Sequence, residues 1–227
     1  MMRTLPMIFN TDMVKALISG DKVVTRRPAK LSLRSVEQGV GFHNIVQVFR
    51  SKEPYLYTVV LDDDFDHNAT FSVPCRTGDL IYVRETLYGL YSIQPESDYY
   101  NHSKHLTRDI EYVADKNQKP TTDLYCKAWL TVPSIHMPRW ASRLTLKVTD
   151  VRIEKLNDLR KNEEQIKKEG FKNWPSFKHV WESIYGQSNP NDYVWVIEFE
   201  VIHQNVDKYL SSITTAACLT ASNAKTQ

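Results

Sequence analysis

The stretch Arg76-Thr77-Gly78-Asp79-Leu80-Ile81-Tyr82-Val83-Arg84-Glu85-Thr86-Leu87 decides the fold reading. Gly78 and Asp79 mark a tight turn, and the apolar run from Leu80 to Leu87 reads as a strand leaving it, with Glu85 in mid-strand. Working outward, Tyr193 to Ile202 is the clearest strand, and Ser142 to Ile153 alternates Leu144, Leu146 and Val148 with polar neighbours. That period of two is the signature of a half-buried strand. Leu56 to Leu61 and Thr70 to Val73 read as strands on either side of an acidic turn, Asp62 to Asn68. Helices are short. Thr11 is the expected cap of a helix over Asp12 to Ser19, whose Met13, Val14, Leu17 and Ile18 share one face and which Gly20 stops. Asn162 with Gln165 resembles a capping box opening a helix that Gly170 ends, and Ser176 to Tyr185 is a helix with Phe177, Val180, Trp181 and Ile184 inward.

Between these elements, residues 31–54 read as polar and irregular, Ser92 to Thr107 as loop, and Ile110 to Ala114 as a short strand. After His203 the pattern dissolves into Ser, Thr, Ala, Asn and Gln, so 204–227 reads as a disordered tail. The expectation is one α+β domain over 1–203, a small β-barrel with short helices at its edges. A chain of 227 residues and 26.4 kDa hides about 70% of its extended surface on folding, enough for a core without disulfides or metal.

Composition excludes several classes. With 41% hydrophobic and 25% charged residues this is ordinary globular material. Cys75, Cys126 and Cys218 are widely spaced and odd in number, which argues against a disulfide framework or zinc knuckle and suits a reducing compartment. Met1 to Asn10 lacks the apolar region of a signal peptide, and no window approaches 18 apolar residues, so a cytoplasmic protein with no membrane partner is expected. Seven histidines show no metal-ligand spacing, and there is no GxGxxG, P-loop or GxSxG pattern, so neither metal nor cofactor is expected.

The net charge of +2 conceals an uneven distribution. Gly20 to Arg34 holds Lys22, Arg26, Arg27, Lys30 and Arg34 against Asp21, and Arg139 to Lys155 holds Arg139, Arg143, Lys147, Arg152 and Lys155 against Asp150 and Glu154. Two readings stand: solvated faces, or basic stretches that line a cleft for a phosphate-bearing ligand or nucleic acid, with Trp140 as a stacking surface for an unpaired base. Lys22 and Thr25 lie three apart after a helix-ending glycine. Arg26 and Arg27 beside Lys22 disfavour its ammonium form, toward base or nucleophile behaviour. Glu85 among apolar neighbours must be paired or must work, because a lone buried carboxylate is costly. The structural alternative is a Lys22–Glu85 or Arg84–Glu85 ion pair. Cys75 reads as a buried structural thiol, and Trp174, Trp181 and Trp195 as packing.

Gly20-Asp21-Lys22-Val23-Val24-Thr25-Arg26-Arg27-Pro28 resembles the G-x-K-x-x-T-x-R opening of ASCH-domain proteins, and Gly78 to Thr86 resembles their G-D-x-x-x-V-x-E strand. Ser134 to Arg143 and the strand Trp195 to Phe199 are similar to a subgroup carried by bacteriophages and prophages. The resemblance runs from about Met7 to Ile202. It implies a PUA-like barrel, an RNA or modified-nucleoside ligand, and hydrolysis of the amide of N4-acylated cytidine as the candidate reaction. It implies an active site of Lys22, Thr25 and Glu85. Arg26, Arg27, Arg84, His136, Arg139, Trp140 and Arg143 would then hold the ligand. Insertions around 31–70 and 88–130 distinguish the chain from the small amidohydrolases of that family. A non-catalytic RNA-binding module and a phage interaction protein remain the alternatives.

Overall fold

The computed structural model describes residues 2–29, 45–50, 56–61, 68–95, 102–116, 118–122, 126–186 and 189–223. In chain order the first elements are β1 (Thr4–Ile8), α1 (Thr11–Ser19), β2 (Val24–Pro28), β3 (Ile45–Arg50), β4 (Leu56–Leu61), β5 (Asn68–Ser72) and β6 (Leu80–Arg84). There follow β7 (Leu87–Pro95), β8 (His102–Tyr112), β9 (Lys127–Val132), β10 (Thr145–Lys155), α2 (Leu156–Arg160), α3 (Glu163–Lys168), α4 (Trp174–Tyr185), β11 (Tyr193–Ile202) and α5 (Val206–Asn223). The mixed α+β class expected from the sequence is present. The strands form open sheets, and no sheet closes on itself among the described residues.

The chain divides into two compact units. Unit 1 comprises Met1–Asp21, Leu80–Lys147 and Val201–Gln227, and unit 2 comprises Lys22–Asp79 and Val148–Glu200. In unit 1, β1 runs parallel to β6, with Thr4 opposite Leu80, and β6 pairs antiparallel with the start of β10, Tyr82 opposite Thr145. A second, antiparallel sheet in this unit has the order β8-β7-β9. Its inner face carries Leu87 and Val132 against Met137 and Ala141, with Tyr91, Leu106, Ile110, Tyr112 and Trp140 packed around them. Gly89 sits on β7 between β8 and β9, where a Cβ would lie 2.3 Å from Leu106 Cδ1, so a larger residue there displaces the Leu106 side chain.

In unit 2, β11 pairs antiparallel with β2, placing Ile197 opposite Thr25 and Val196 opposite Arg26. The separate β3-β4-β5 sheet is antiparallel. The core of this unit joins Val24, Val194 and Val196 of the strands to Leu156, Leu159, Ile166, Phe177 and Trp181 of the helices. On α4, Trp174, Phe177, Trp181 and Tyr185 follow one another with ring centroids 5.5, 5.6 and 4.6 Å apart. Phe177 and Trp181 are buried as the sequence predicts, but Ile184, expected inward, is 45% exposed, and the helix begins at Trp174, with Asn173 accepting from the Ser176 N–H at 3.0 Å.

Four expectations change. Asn10, not Thr11, caps α1, its Oδ1 accepting from the Met13 N–H at 2.8 Å, while Gly20 at φ 81° ends the helix as expected. Ser92 to Thr107 is not loop: both flanks of the segment are strand, because β7 and β8 pair from Leu87–Tyr112 to Pro95–His102. Likewise Ile45–Arg50 is a strand within the stretch read as irregular. The 204–227 tail is not disordered as a whole, since α5 occupies Val206–Asn223. Its start is fixed by tertiary contacts that a polar composition does not announce: Val206 is fully buried, and Asn205 donates to the carbonyls of Arg139, Trp140 and Ser142. The acidic turn at 62–67 lies outside the described residues, as do Lys30 and Arg34.

Candidate nucleic-acid interface

Lys22 and Thr25 belong to unit 2 and Glu85 to unit 1. Lys22 follows the stop of α1 and forms an isolated β-bridge with Glu169, the residue that closes α3. Its side chain is fully buried, and Nζ donates to Glu169 Oε2 at 2.6 Å and to the Glu169 carbonyl at 3.0 Å. Burial lowers the Lys22 pKa below the usual lysine range; Glu169 opposes that shift, and Arg27 and Arg26 add smaller pushes in the same direction as burial. The direction expected from the neighbouring arginines is thus present, but desolvation is the dominant cause. Thr25 is buried on β2.

Arg26 is also buried and bonded on both nitrogens of its fork. NH1 reaches Glu169 Oε1 at 3.2 Å, and NH2 reaches Glu154 Oε2 at 3.0 Å and Gln165 Oε1 at 3.3 Å. Glu154 in turn accepts from Arg152 Nε at 2.6 Å, and Arg152 NH1 bonds Asp150 and Glu198. Burial works against the Glu154 carboxylate, but the bonds from Arg152 and Arg26 outweigh it and hold its pKa below the ordinary range. Arg27 donates to the Tyr185 hydroxyl at 3.0 Å. Lys22 and Arg26 are therefore woven into unit 2 by its own carboxylates.

Glu85 lies not in mid-strand but in the break between β6 and β7, where its N–H meets Met137 Sδ at 3.1 Å. Among the described residues of unit 1 its ion-pair partner is not Arg84. Arg143 grips it side-on, Nε to Oε1 at 2.9 Å and NH2 to Oε2 at 3.0 Å, and also holds Asp115. Burial pushes the Glu85 carboxyl up in spite of Arg143. For Arg143, burial works against the charge, yet the bonds to Glu85 and Asp115 raise its pKa. The two shifts fit one pair of unequal depth: the carboxylate is 2% exposed and the guanidinium 24%, so desolvation wins at one end and pairing at the other.

The segment that precedes Arg143 has a different character. His136 is exposed at the end of a 3-10 turn, and Ile135 beside it is 60% exposed and accepts from Arg84 through its carbonyl. Three arginines of unit 1 each cover an aromatic ring. Arg108 lies 4.3 Å over Trp140, Arg143 lies 3.9 Å over Tyr112, and Arg139 lies 5.4 Å over Tyr82. Arg139 also donates to Thr4 Oγ1 at 2.9 Å and to both oxygens of Asp207. Of the residues expected to hold a ligand, Arg84, His136, Arg139, Trp140 and Arg143 thus all fall in unit 1, whereas Arg26 and Arg27 fall in unit 2.

Sequence reasoning missed Glu169, Asp115, Asp207, Thr4 and Arg108. Each is far in sequence from what it touches, so no local pattern announces it. Among the described residues no group of three or more His, Cys, Asp or Glu is placed to hold a metal ion, and no helix is long and apolar enough to cross a membrane. No protein-family model matches the chain, and neither does any curated protein or solved structure.

Proposed function

We propose that this protein binds single-stranded RNA, or a modified nucleoside within it, through the segment 135–143 and the adjoining β8 surface of unit 1. The observation that carries this reading is the set of guanidinium-capped rings, Arg108 over Trp140, Arg143 over Tyr112 and Arg139 over Tyr82. A guanidinium laid over a ring offers its own outer plane to an unpaired base and its N–H groups to the phosphate within the same few ångströms. Arg108 is exposed and Trp140 half-buried, so a base can reach this pair. In this reading the chain is an ASCH-domain protein of PUA-like descent, working in the cytoplasm of a bacterium that carries the phage or prophage. Its sheets are then an elaborated form of the PUA barrel.

The test is fluorescence anisotropy with a labelled oligouridylate of twelve nucleotides. Binding is expected to weaken steeply with salt, roughly as the −0.7 power of concentration per phosphate engaged. Arg108→Ala and Trp140→Ala each weaken it, by roughly 5- to 100-fold for the stacking ring, and Glu85→Gln does not. A binding constant indifferent to salt refutes the reading.

A second reading, amide hydrolysis of N4-acylated cytidine, is favoured by one observation. Burial lowers the pKa of Lys22, as an amine serving as base requires, and Thr25 is buried in the same unit. Lys22 would take the proton from the attacking water and return it to N4 as the C–N bond breaks, releasing the carboxylic acid and cytidine. Turnover of N4-acetylcytidine that Lys22→Ala abolishes supports it; a clean preparation inactive on acylated nucleosides refutes it.

A further inference from the structure

We propose that Arg139, Thr4 and Tyr82 form a phosphate subsite for RNA which Asp207, in the first turn of α5, occupies in the unliganded protein. This rests on the RNA-binding reading above and adds a competitor to it.

The Asp207 carboxylate sits on the Nε–NH2 edge of Arg139. Oδ1 is 2.6 Å from NH2 and 3.1 Å from Nε, and Oδ2 is 3.2 Å from Nε. That edge, with two oxygens against two nitrogens, is the geometry by which a guanidinium takes a phosphate. The carboxylate therefore stands where two phosphate oxygens would stand.

Two further observations make this an exchangeable occupant and not a structural tie. First, the pair is open to water, with Arg139 36% and Asp207 57% exposed, the class of ion pair that contributes little to stability. Second, neither partner depends on the other for its position. Arg139 is held from its far side by Thr4 Oγ1 at 2.9 Å and by the Tyr82 ring. α5 is held by buried Val206 and by Asn205, whose amide donates to the carbonyls of Arg139, Trp140 and Ser142 at 3.1, 3.3 and 2.7 Å and whose Oδ1 accepts the Asp207 N–H at 2.9 Å. Removing the carboxylate leaves a fixed fork, a hydroxyl and an aromatic wall, preorganised for an oxyanion. Asp207 then tunes RNA affinity from within the chain.

The experiment is a double-mutant cycle on the full chain, read by anisotropy with the same oligouridylate at low salt. Asp207→Asn is expected to tighten binding roughly two- to fivefold, the range set by releasing an exposed ion pair. In the Arg139→Ala background the same substitution is expected to change nothing. Equal tightening in both backgrounds means simple relief of charge repulsion and overturns the subsite; so does no tightening in either. If neither the wild type nor Asp207→Asn binds RNA at all, the RNA-binding reading falls and the subsite with it. Calorimetric titration with inorganic phosphate alone separates the two sources of the anion. No saturable heat is expected, and a coupling equal to that seen with RNA overturns the assignment to RNA. A thermal melt of Asp207→Asn within about 2 °C of the wild type is expected of an exposed pair.

Discussion

Replacing Glu169 by leucine is the perturbation that most directly tests the account of unit 2. The substitution removes the carboxylate 2.6 Å from Lys22 Nζ while keeping a side chain of similar volume. Lys22 is then left fully buried with, among the described residues, only the carbonyl of residue 169 to accept from Nζ, 3.0 Å away. Arg26 keeps Glu154 and Gln165 and is less affected. An isolated ammonium in such a site gives up its proton instead of remaining charged. Giving up the proton at pH 7 from an ordinary lysine pKa of about 10.4 costs roughly 1.36 kcal/mol per unit over about 3.4 units, about 4.6 kcal/mol, an upper bound because burial already lowers the Lys22 pKa in the wild type. Breaking a buried pair by removing one partner costs about 3–5 kcal/mol by general experience, so the two routes agree. For a chain of this size the change corresponds to a fall of roughly 9–18 °C in melting temperature. The pH dependence is the sharper signature. In Glu169→Leu the native state holds Lys22 neutral while the unfolded state binds the proton below about pH 10.4. Unfolding then takes up one proton, and stability rises with pH by about 1.36 kcal/mol per unit between pH 7 and 10. Urea denaturation at pH 7, 8 and 9 measures both quantities. A loss under about 1 kcal/mol, or a penalty that does not shrink with pH, refutes the buried pair. The companion Lys22→Met/Glu169→Leu is expected to recover most of the loss, as apolar replacements of buried ion pairs do.

Three other outcomes follow from the geometry. Burial raises the Glu85 carboxyl pKa, so the native state holds its proton where the unfolded state has lost it, and wild-type stability falls relative to Glu85→Gln as pH rises from about 4.5 through the folded pKa; urea titrations from pH 4 to 7 that run parallel for the two proteins contradict this. Glu154 has the opposite sign: bonds from Arg152 and Arg26 depress its pKa despite burial, so its contribution is present above about pH 4.3 and disappears as pH falls through the folded value. At neutral pH Glu154→Gln is expected to cost about 1 kcal/mol, a cost absent near pH 2, as acid and neutral urea curves will show. Gly89→Ala drives a methyl to within 2.3 Å of Leu106 Cδ1 and 3.2 Å of Val132 Cγ2, an overpacking expected to cost about 1–3 kcal/mol that Leu106→Ala in the same chain relieves; additivity of the two substitutions argues against the contact.

What the sequence made legible was local. The Gly20 stop, the bounds of β4 at Leu56–Leu61 and the aromatic face of α4 depend on residues within a turn or two of one another. Period and capping chemistry report such features because their causes are near in sequence. The misreadings share the opposite property. Ser92 to Thr107 carries no strong strand pattern of its own, and its strands exist because Leu87–Pro95 pairs with both β8 and β9. α5 lacks an apolar stripe strong enough to announce it, and its first turn is fixed by Asn205 and Val206 against residues more than sixty positions earlier. Glu85 illustrates both sides. That a carboxylate there needs a partner was readable from its apolar neighbours, but the partner, Arg143, is 58 residues away. For Lys22 the sequence announced only the neighbouring arginines, and its carboxylate partner, Glu169, lies 147 positions away.

Individual arginines differ in what it would take for them to bind a phosphate, and the difference decides which can. For Arg26 to release Glu169 and Glu154, two carboxylates would lose a guanidinium, one of them 2% exposed beside a fully buried lysine. Opening that arrangement carries a penalty on the scale of a broken buried pair, about 3–5 kcal/mol, or 10²- to 10³-fold or more in affinity. Arg139 has only to exchange one exposed carboxylate for another anion, at a cost of at most about 1 kcal/mol. Arg108, exposed over Trp140, has a ring and no carboxylate among its described partners to give up. Charge counted along the sequence treats these arginines as equals, whereas burial of the counter-ion ranks them. A phosphate-bearing ligand is therefore expected at Arg108 and Arg139, and Arg26→Lys should alter the stability of unit 2 long before it alters RNA affinity.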